Sequence, residues 1–405
     1  MDSSMLARRA AGLSTAFPAP HFPEELAAGV IAFDSGFAFP QLLPDLTPFA
    51  HAALTVHRGE CLQYSAPQGH PELREWLAGY MNDDGCTLSA KNILIVNGAK
   101  HGIDLICRLL LDEGDSIVVT APTYFTAIPI FRSFGAQFIE AAHDRDGLDV
   151  AALDRTLELL RSEGRRWPKL IYNVVDFHNP TGVSMSRARR QALVDLSVRH
   201  GIPIVEDNPY RRVRFDGEPL ATLKALDPAS EVLHVGTFSK LIAPGLRIGW
   251  IAAHPHLTAR LMQLKSDGGA NPLIQRIVLE FCRSDAFAAH TRRVQSTYRE
   301  HRDRMVAAIR RELPQATLDI PEGGYYLWLT LPPHVDGDVI AQHAAAAGVN
   351  VIAGSRFFVP RGDAQPHERA FPRNHIRLSY SFATLDQIDE GVRRLASAYR
   401  AQSPE

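Results

Sequence analysis

The sequence predicts an α/β fold with a large domain built on a mostly parallel sheet and a smaller α+β domain after it. The first observation is a series of short apolar runs, typical of strands buried on both faces: "NILIV", "SIVVT", "KLIYNVV", "IPIVE", "EVLHV" and "IGWIAA". The second is that helical patterns such as "HGIDLICRLLLDEG" and "RARRQALVDLSVRHG" separate most of them, the latter closing with Gly201. Alternating strands and helices indicate a parallel sheet covered on both faces.

The C-terminal third has a different pattern. A long amphipathic stretch near 272–312 leads into the β-rich segments "GGYYLWLTL", "VNVIAG" and "HIRLSYS", and a helix, "TLDQIDEGVRRLASAYR", follows. A chain of 405 residues suggests about two domains. We therefore expect an N-terminal arm at 1–45 that packs with the small domain, a large α/β domain at 46–290, and a small α+β domain at 291–405.

Composition excludes several classes of function. A net charge of −2 gives no electrostatic case for binding nucleic acid or a membrane surface. No GxGxxG follows a strand, and the phosphate loop, GxSxG and HExxH motifs do not occur. The start of the chain lacks the apolar segment of a secretion signal, and Cys61, Cys86, Cys107 and Cys282 form no CxxC pair or metal-ligand cluster. We expect reduced, mostly buried thiols, no metal and a cytoplasmic location.

The ends of the predicted strands carry distinctive residues. In open α/β sheets, ligands bind beyond the carboxyl ends of the strands. Successive strands here are followed by "NGAKHG", "APTY", "DFHNPTG", "DNPY" and "GTFSK". Only six of the 43 basic residues are lysine, yet lysine stands at 240. Its amine can lose a proton and attack a carbonyl, which arginine cannot do.

Each of these residues also has an ordinary explanation when it is taken alone: a turn, a rim aromatic, a helix start or a surface charge. These explanations apply to Gly98, Ala99, Tyr124, Asn179, Asp207 and Arg247. Their appearance at successive strand ends is what favours function. A lysine, an acid for a ring nitrogen, a phenol, a stacking aromatic and an anion-binding turn indicate a pyridoxal 5′-phosphate (PLP) site.

The run "TFSKLIAPGLRIGW", together with "HNPTG" and "DNPY", resembles the class I/II aminotransferase family of fold-type I PLP-dependent enzymes. The resemblance is nearest to the kynurenine and 2-aminoadipate aminotransferases and extends from "FDSGFAFPQLLP" to "IRLSYS". It implies a mostly parallel seven-stranded sheet, a homodimer with active sites at the subunit interface, and ping-pong transfer of an amino group from an L-amino acid to a 2-oxo acid. The cofactor would alternate between PLP and pyridoxamine 5′-phosphate.

The resemblance also implies residue roles around the cofactor ring. Lys240 would form a Schiff base with the cofactor, and Asp207 would pair with the pyridinium nitrogen. Tyr210 and Asn179 would bind the ring's phenolic oxygen, while Tyr124 would stack on the ring face.

Phosphate and substrate positions follow in the same way. The residues implied to hold the phosphate are Gly98, Ala99, Lys100, Thr237, Ser239, Arg247 and, from the neighbouring subunit, Tyr64. The residues implied on the substrate side are Arg377, Asn179, Gly36 and Tyr325, with Arg377 taking the α-carboxylate as a bidentate pair.

Three alternatives remain open at this point. The same scaffold supports other PLP reactions on amino acids, namely β/γ-elimination, decarboxylation or oxidation, because a fold does not fix a reaction. A ligand-sensing regulator or a non-enzymatic relative would share it too. The amino donor is not named by these motifs, since Arg377 indicates only an α-carboxylate.

Overall fold

The computed structural model describes residues 26–229, 231–359 and 371–402. Its strands are β1 (Ile31–Ala32), β2 (Ile93–Val96), β3 (Ser116–Ala121), β4 (Gln137–Asp144), β5 (Gly147–Leu148), β6 (Pro168–Val174), β7 (Ile204–Asp207), β8 (Val232–Thr237), β9 (Gly249–Ala252), β10 (Tyr326–Thr330), β11 (Val349–Asn350), β12 (Ile352–Ala353) and β13 (His375–Ser379). Its α-helices are α1 (Thr47–Val56), α2 (Arg58–Cys61), α3 (Pro71–Asn82), α4 (Ala99–Leu110), α5 (Ile128–Ser133), α6 (Val150–Ser162), α7 (Arg187–His200), α8 (Leu223–Leu226), α9 (Pro255–Leu264), α10 (Pro272–Arg283), α11 (Asp285–Glu312), α12 (Gly337–Ala346) and α13 (Leu385–Gln402).

The large sheet contains eight strands in the order β2-β9-β8-β7-β6-β3-β4-β5. Strands β8, β7, β6, β3 and β4 run parallel, whereas β9 is antiparallel to both of its neighbours. The fold class is therefore as predicted. The eighth strand is β5, a two-residue segment that pairs with the edge of β4.

The six predicted apolar runs all form strands of this sheet, but β4 was missed. Its sequence, "QFIEAAHD", is only partly buried because the strand lies near the edge of the sheet. It therefore lacks the continuous apolar run by which the central strands were found.

Helices cover both faces of the large sheet, as the alternating pattern predicts. Ile204 and Val205 are adjacent in β7 and pack into different clusters, because successive side chains of a strand point to opposite faces. Val205 lies in the cluster that contains Ile103 of α4, and Ile204 lies in the cluster that contains Leu193 of α7. Helix α7 ends at Gly201, whose φ of 63° is the left-handed cap predicted there.

The second part of the fold is a three-stranded antiparallel sheet in the order β10-β13-β12. The predicted amphipathic stretch consists of two helices, α10 and α11, because Ser284 between them has an extended backbone. Helix α11 runs through the predicted boundary at 290, so the division into domains stays a prediction. Residues 1–25 of the predicted arm lie outside the described residues.

The part of the predicted arm that is described joins the C-terminal strands. Strand β1 pairs in parallel with β11. The amide of Phe33 donates to the Asn350 carbonyl at 2.8 Å, and its carbonyl accepts from the Ser379 amide at 2.8 Å. The segment that leads to Gly36 is thus bonded to two strands from the other end of the chain.

All four cysteines are buried and free, as expected. Among the helices that the structure describes, none is both long and apolar enough to cross a membrane.

Candidate active site

A cavity of about 330 Å³ lies at the carboxyl ends of β3, β6, β7 and β8. The parallel strands bring the loops that follow them to one edge of the sheet. The residues of the predicted site that line this cavity are Gly36, Ala99, Lys100, Tyr124, Asn179, Asp207, Tyr210, Thr237, Ser239, Lys240, Arg247 and Arg377. Residues distant in sequence therefore form one site, as the strand-end pattern predicts.

Lys240 follows β8, and its amine faces the cavity. Its Nζ donates a hydrogen bond to the Gly36 carbonyl at 2.7 Å. Burial lowers the pKa of the Lys240 ammonium, and repulsion from Arg377 and Arg247 adds to this, while the Tyr326 hydroxyl acts in the opposite direction. The amine is consequently easier to obtain in its neutral, nucleophilic form than that of a solvated lysine.

Asp207 is the last residue of β7 and is 2% exposed. Its Oδ2 accepts a hydrogen bond from the Tyr172 hydroxyl at 2.6 Å, and its buried Oδ1 has no partner among the described residues. Burial raises the pKa of Asp207 to about 6, although Tyr172 and His234 oppose the shift. Since an unpartnered buried carboxylate oxygen is costly, this oxygen is suited to a cationic N–H group.

Asn179 and Arg377 form a second polar pair in the cavity. Arg377 Nη1 donates to Asn179 Oδ1 at 3.0 Å, and Nη2 donates to the Asp34 carbonyl. Arg377 Nε and Asn179 Nδ2 are buried without partners in the described parts of the chain. Two buried donors are thus left for a ligand, one from a guanidinium and one from an amide.

The N-terminus of α4 forms the anion-binding end of the cavity. The first amides of a helix have no partner within the helix, and the helix dipole favours negative charge there. Arg247 Nη2 donates to the Asn97 carbonyl at 3.0 Å, and a Cβ at Gly98 would lie 2.6 Å from this nitrogen. Gly98, with φ of 87°, therefore admits the guanidinium beside the helix start.

Further positive charge and hydroxyl groups lie at the same end. Burial lowers the pKa of Lys100, and the cations of Lys240 and Arg247 lower it further. Thr237 Oγ1 and Ser239 Oγ lie 3.0 Å apart, and Thr237 Oγ1 donates to the Ile248 carbonyl at 2.9 Å. Mutually repelling cations beside a helix N-terminus are suited to a dianion.

Three predicted residues do not line this cavity: Gly98, which directly precedes Ala99 at the start of α4, Tyr64 and Tyr325. Tyr64 is 89% exposed and does not line it. Tyr325 is fully buried, and its hydroxyl donates to the Lys240 carbonyl at 2.7 Å, so it supports the backbone of Lys240. Tyr326 lines the cavity, although both rings contact Tyr210 and the Lys240 amine lies 5.3 Å from the centre of the Tyr325 ring.

Sequence reasoning missed several residues that shape the site, including Asp34, Phe125, Tyr172 and Tyr326. Phe125 directly follows the predicted Tyr124, and Tyr326 follows Tyr325. Tyr172 had a detectable signal, since a phenol within the apolar run "KLIYNVV" needs a hydrogen-bond partner when buried. That partner is Asp207.

Comparison with known proteins identifies the family. Residues 26–395 match the family model described as aminotransferase class I and II. The chain belongs to this family. It is 33% identical to the aromatic-amino-acid aminotransferase 1 of Thermococcus litoralis over 92% of this chain and 88% of that protein.

Two further relatives carry different descriptions, one as an aminotransferase and one as a transcriptional regulator. A Pyrococcus horikoshii kynurenine aminotransferase, solved in complex with PMP, superposes with a TM-score of 0.87 and 30% identity over 94% of this chain and 93% of that one. A Bacillus subtilis protein described as an uncharacterized HTH-type transcriptional regulator is 32% identical over 83% of this chain and 67% of its own. The predicted family, its fold and its cofactor are confirmed: the protein is a PLP-dependent aminotransferase.

The cavity of this aminotransferase fits PLP. The unpartnered Asp207 Oδ1 and Asn179 Nδ2 match the ring's cationic nitrogen and phenolic oxygen, respectively. The helix start and the cations of Lys100 and Arg247 match a phosphate dianion.

Proposed function

We propose that this aminotransferase moves the amino group of an L-amino acid to a 2-oxo acid by ping-pong kinetics, with Lys240 as the anchor of PLP and the proton-transferring base. The observation that carries the proposal is the convergence of the Lys240 amine, the Asp207 carboxylate and the Arg377 guanidinium on one cavity. PLP, when bound, supplies an electron sink for the carbanion that forms at the substrate Cα.

Lys240 removes the Cα proton as a neutral amine. As an ammonium group it then returns the proton to the cofactor carbon that would take up the electron pair. Its lowered pKa favours that neutral form. A second half-reaction with a 2-oxo acid runs the same proton transfers in reverse, which is the origin of ping-pong kinetics.

Asp207 keeps a proton on the pyridine nitrogen. Its buried Oδ1 faces no competing donor among the described residues, and Tyr172 fixes the other oxygen at 2.6 Å. A carboxylate that gains a cationic partner in a buried site is strongly stabilised in its charged form. Tyr210 and Asn179 bind the phenolic oxygen, and Tyr124 covers the ring face.

The N-terminus of α4 would hold the phosphate of the cofactor. The amides near Gly98 and Ala99 would donate to it, and the groups proposed to surround it are Lys100, Thr237, Ser239 and Arg247. Ala99 has no hydroxyl, so Lys100 supplies charge at this turn.

Arg377 binds the α-carboxylate of the substrate, with Asn179 holding the guanidinium from one side at 3.0 Å. A planar guanidinium offers two parallel donors to a carboxylate. Phe37, Phe125 and Tyr326 supply aromatic surface to the same cavity. We propose an aromatic L-amino acid as the donor, a class that the name of the T. litoralis relative also carries.

A homodimer with Tyr64 reaching the partner subunit's phosphate site completes the proposal. Four apolar or aromatic side chains near α1 and α2 are exposed: Leu54 (41%), Val56 (74%), Leu62 (63%) and Tyr64 (89%). A cluster of this kind is typical of an interaction surface. The four buried, free thiols support a cytoplasmic location.

A panel of amino donors and 2-oxo acid acceptors tests the reaction. We expect equal amounts of new amino acid and new oxo acid, and parallel double-reciprocal lines when both substrates vary. Release of ammonia or CO₂, or consumption of oxygen, in place of that exchange would identify one of the other PLP reactions. Aromatic donors should give the highest kcat/KM of the panel.

A further inference from the structure

The phenol of Tyr326 lies in the wall of the cavity beside positively charged and hydrogen-bond-donating groups. The Arg377 guanidinium lies 4.2 Å from the centre of its ring. The Tyr210 hydroxyl donates to the Tyr326 oxygen at 3.4 Å. Tyr326 is buried at 4% exposure, yet it lines the cavity. The contacts of the Tyr326 phenol with a guanidinium and a hydroxyl donor therefore indicate more than a packing role.

The Tyr326 hydroxyl and the Lys240 amine both lie close to Gly36. A Cβ at Gly36 would overlap the Tyr326 hydroxyl and would lie 3.4 Å from Lys240 Nζ. The Gly36 carbonyl also accepts the hydrogen bond from Lys240. The absence of a side chain at 36 is therefore what allows the phenol to approach the lysine.

We propose that Tyr326 is the proton partner of Lys240: its phenolate accepts a proton from the Lys240 ammonium, and its hydroxyl returns it. An O–H bond forms as an N–H bond breaks, so a cation and an anion become a neutral amine and a neutral phenol. This rests on the proposed function of Lys240 as the base, which requires the neutral amine.

The surroundings favour the phenolate. Burial raises the pKa of a phenol, but the cations of Arg377 and Lys240 more than offset it, and the pKa of Tyr326 is lowered from its ordinary value. The other titratable or charged groups that face Tyr326 or its cavity are Tyr124, Tyr210, Tyr325, Tyr380, Asp34, Lys100, Asp207 and Arg247. Burial raises the pKa of each of these four other phenols, so Tyr326 is the phenol of this group that ionises first.

An ultraviolet titration of the full chain without added cofactor tests the ionisation directly. The difference between wild type and Tyr326→Phe should show one phenolate that forms below the ordinary tyrosine value of about 10. In Lys240→Ala the same ionisation should move upward, because one of its two cations is gone. A difference titration at or above about 10 would overturn the proposal.

Kinetics of the PLP-loaded enzyme test the consequence. Tyr326→Phe should lower kcat by about 10- to 100-fold, with a smaller change in KM, and should shift the acidic limb of the kcat profile to higher pH. Tyr399→Phe, a buried phenol in α13 outside the cavity, is the matched control and should leave both unchanged. An altered KM with an unchanged kcat profile would make Tyr326 a substrate contact only. If instead Lys240→Ala kept its turnover, the proposed function itself would fail, whatever Tyr326 does.

Discussion

The Tyr325 hydroxyl donates to the backbone carbonyl of Lys240 at 2.7 Å. Lys240 is thus held at both ends, since its side-chain amine donates to the Gly36 carbonyl. Tyr325 follows the large sheet by more than seventy residues in the chain. The C-terminal part of the fold therefore takes part in positioning Lys240.

Tyr325→Phe should reduce both stability and turnover. The carbonyl of Lys240 loses its donor, and an unsatisfied buried polar group costs about 1–3 kcal/mol. Urea denaturation should report that loss in the free energy of unfolding, with kcat lowered less than by Lys240→Ala. Unchanged stability together with a raised KM would place Tyr325 on the substrate side after all.

Lys240→Ala should abolish repeated transamination, with a loss of at least about a hundredfold in kcat. Loss of the base and of the covalent anchor should appear in a product assay and in the cofactor's absorbance. Lys91→Ala removes an exposed lysine and is the control, which should retain full activity. Normal turnover in Lys240→Ala would contradict the assignment.

Arg377→Lys should weaken substrate binding more than it affects folding. A single ammonium cannot reproduce a bidentate pair with a carboxylate, so kcat/KM for the amino donor should fall by about 10- to 100-fold through KM. Arg373→Lys changes an arginine that pairs with Asp336 on the surface, and it should leave KM unaltered. Equal losses in the two variants would argue against a carboxylate site at Arg377.

Asp207 makes the stability of the cofactor-free protein depend on pH. Its pKa is raised from 3.8 to about 6 on folding, so folding favours the protonated acid. The contribution of Asp207 to the free energy of unfolding is complete below pH 3.8 and is lost as the pH rises through about 6. The free energy of unfolding falls by about 3 kcal/mol over this range. Asp207→Asn removes this dependence, and urea denaturation between about pH 4 and pH 7 should show wild type losing stability relative to the variant. Parallel profiles would contradict the raised pKa.

Charges in the exposed apolar cluster should dissociate the dimer. Val56→Asp combined with Leu62→Asp places carboxylates where 74% and 63% exposed side chains are proposed to meet a partner. Light scattering should then report the monomer mass and activity should fall. Leu159→Asp, at 53% exposure on α6, is the control and should stay dimeric. A wild-type monomer would refute the interface.

Most of the predicted site residues line one cavity because they follow buried parallel strands. Asn179, Asp207 and Lys240 each come after an apolar run, and the edge of a sheet gathers such positions. Arg377 and Gly36 were found only through the family resemblance. Both residues line the cavity from segments that are distant in the chain, and no local sequence pattern predicts that they lie together.

The sequence did not indicate residues whose role depends on which side of a strand they face or on a partner that is distant in the chain. The substrate-side role of Tyr325 stays a prediction, and its neighbour Tyr326, which was not predicted, lines the cavity. The phenol of Tyr172 within an apolar run indicated a buried hydrogen bond, but its partner, Asp207, lies 35 positions away and was not identifiable from the run itself. Strand β4 was missed because partial exposure at the edge of the sheet hides its apolar residues.

The bonds of Phe33 to Asn350 and Ser379 have a mechanical consequence. They join the stretch that carries Gly36 to the strand that carries Arg377, so two parts of the cavity wall are connected by backbone hydrogen bonds. A shift of the strand that carries Arg377 would therefore also shift the Gly36 carbonyl, which accepts the hydrogen bond of the Lys240 amine, so binding of the substrate carboxylate and the position of the base are coupled.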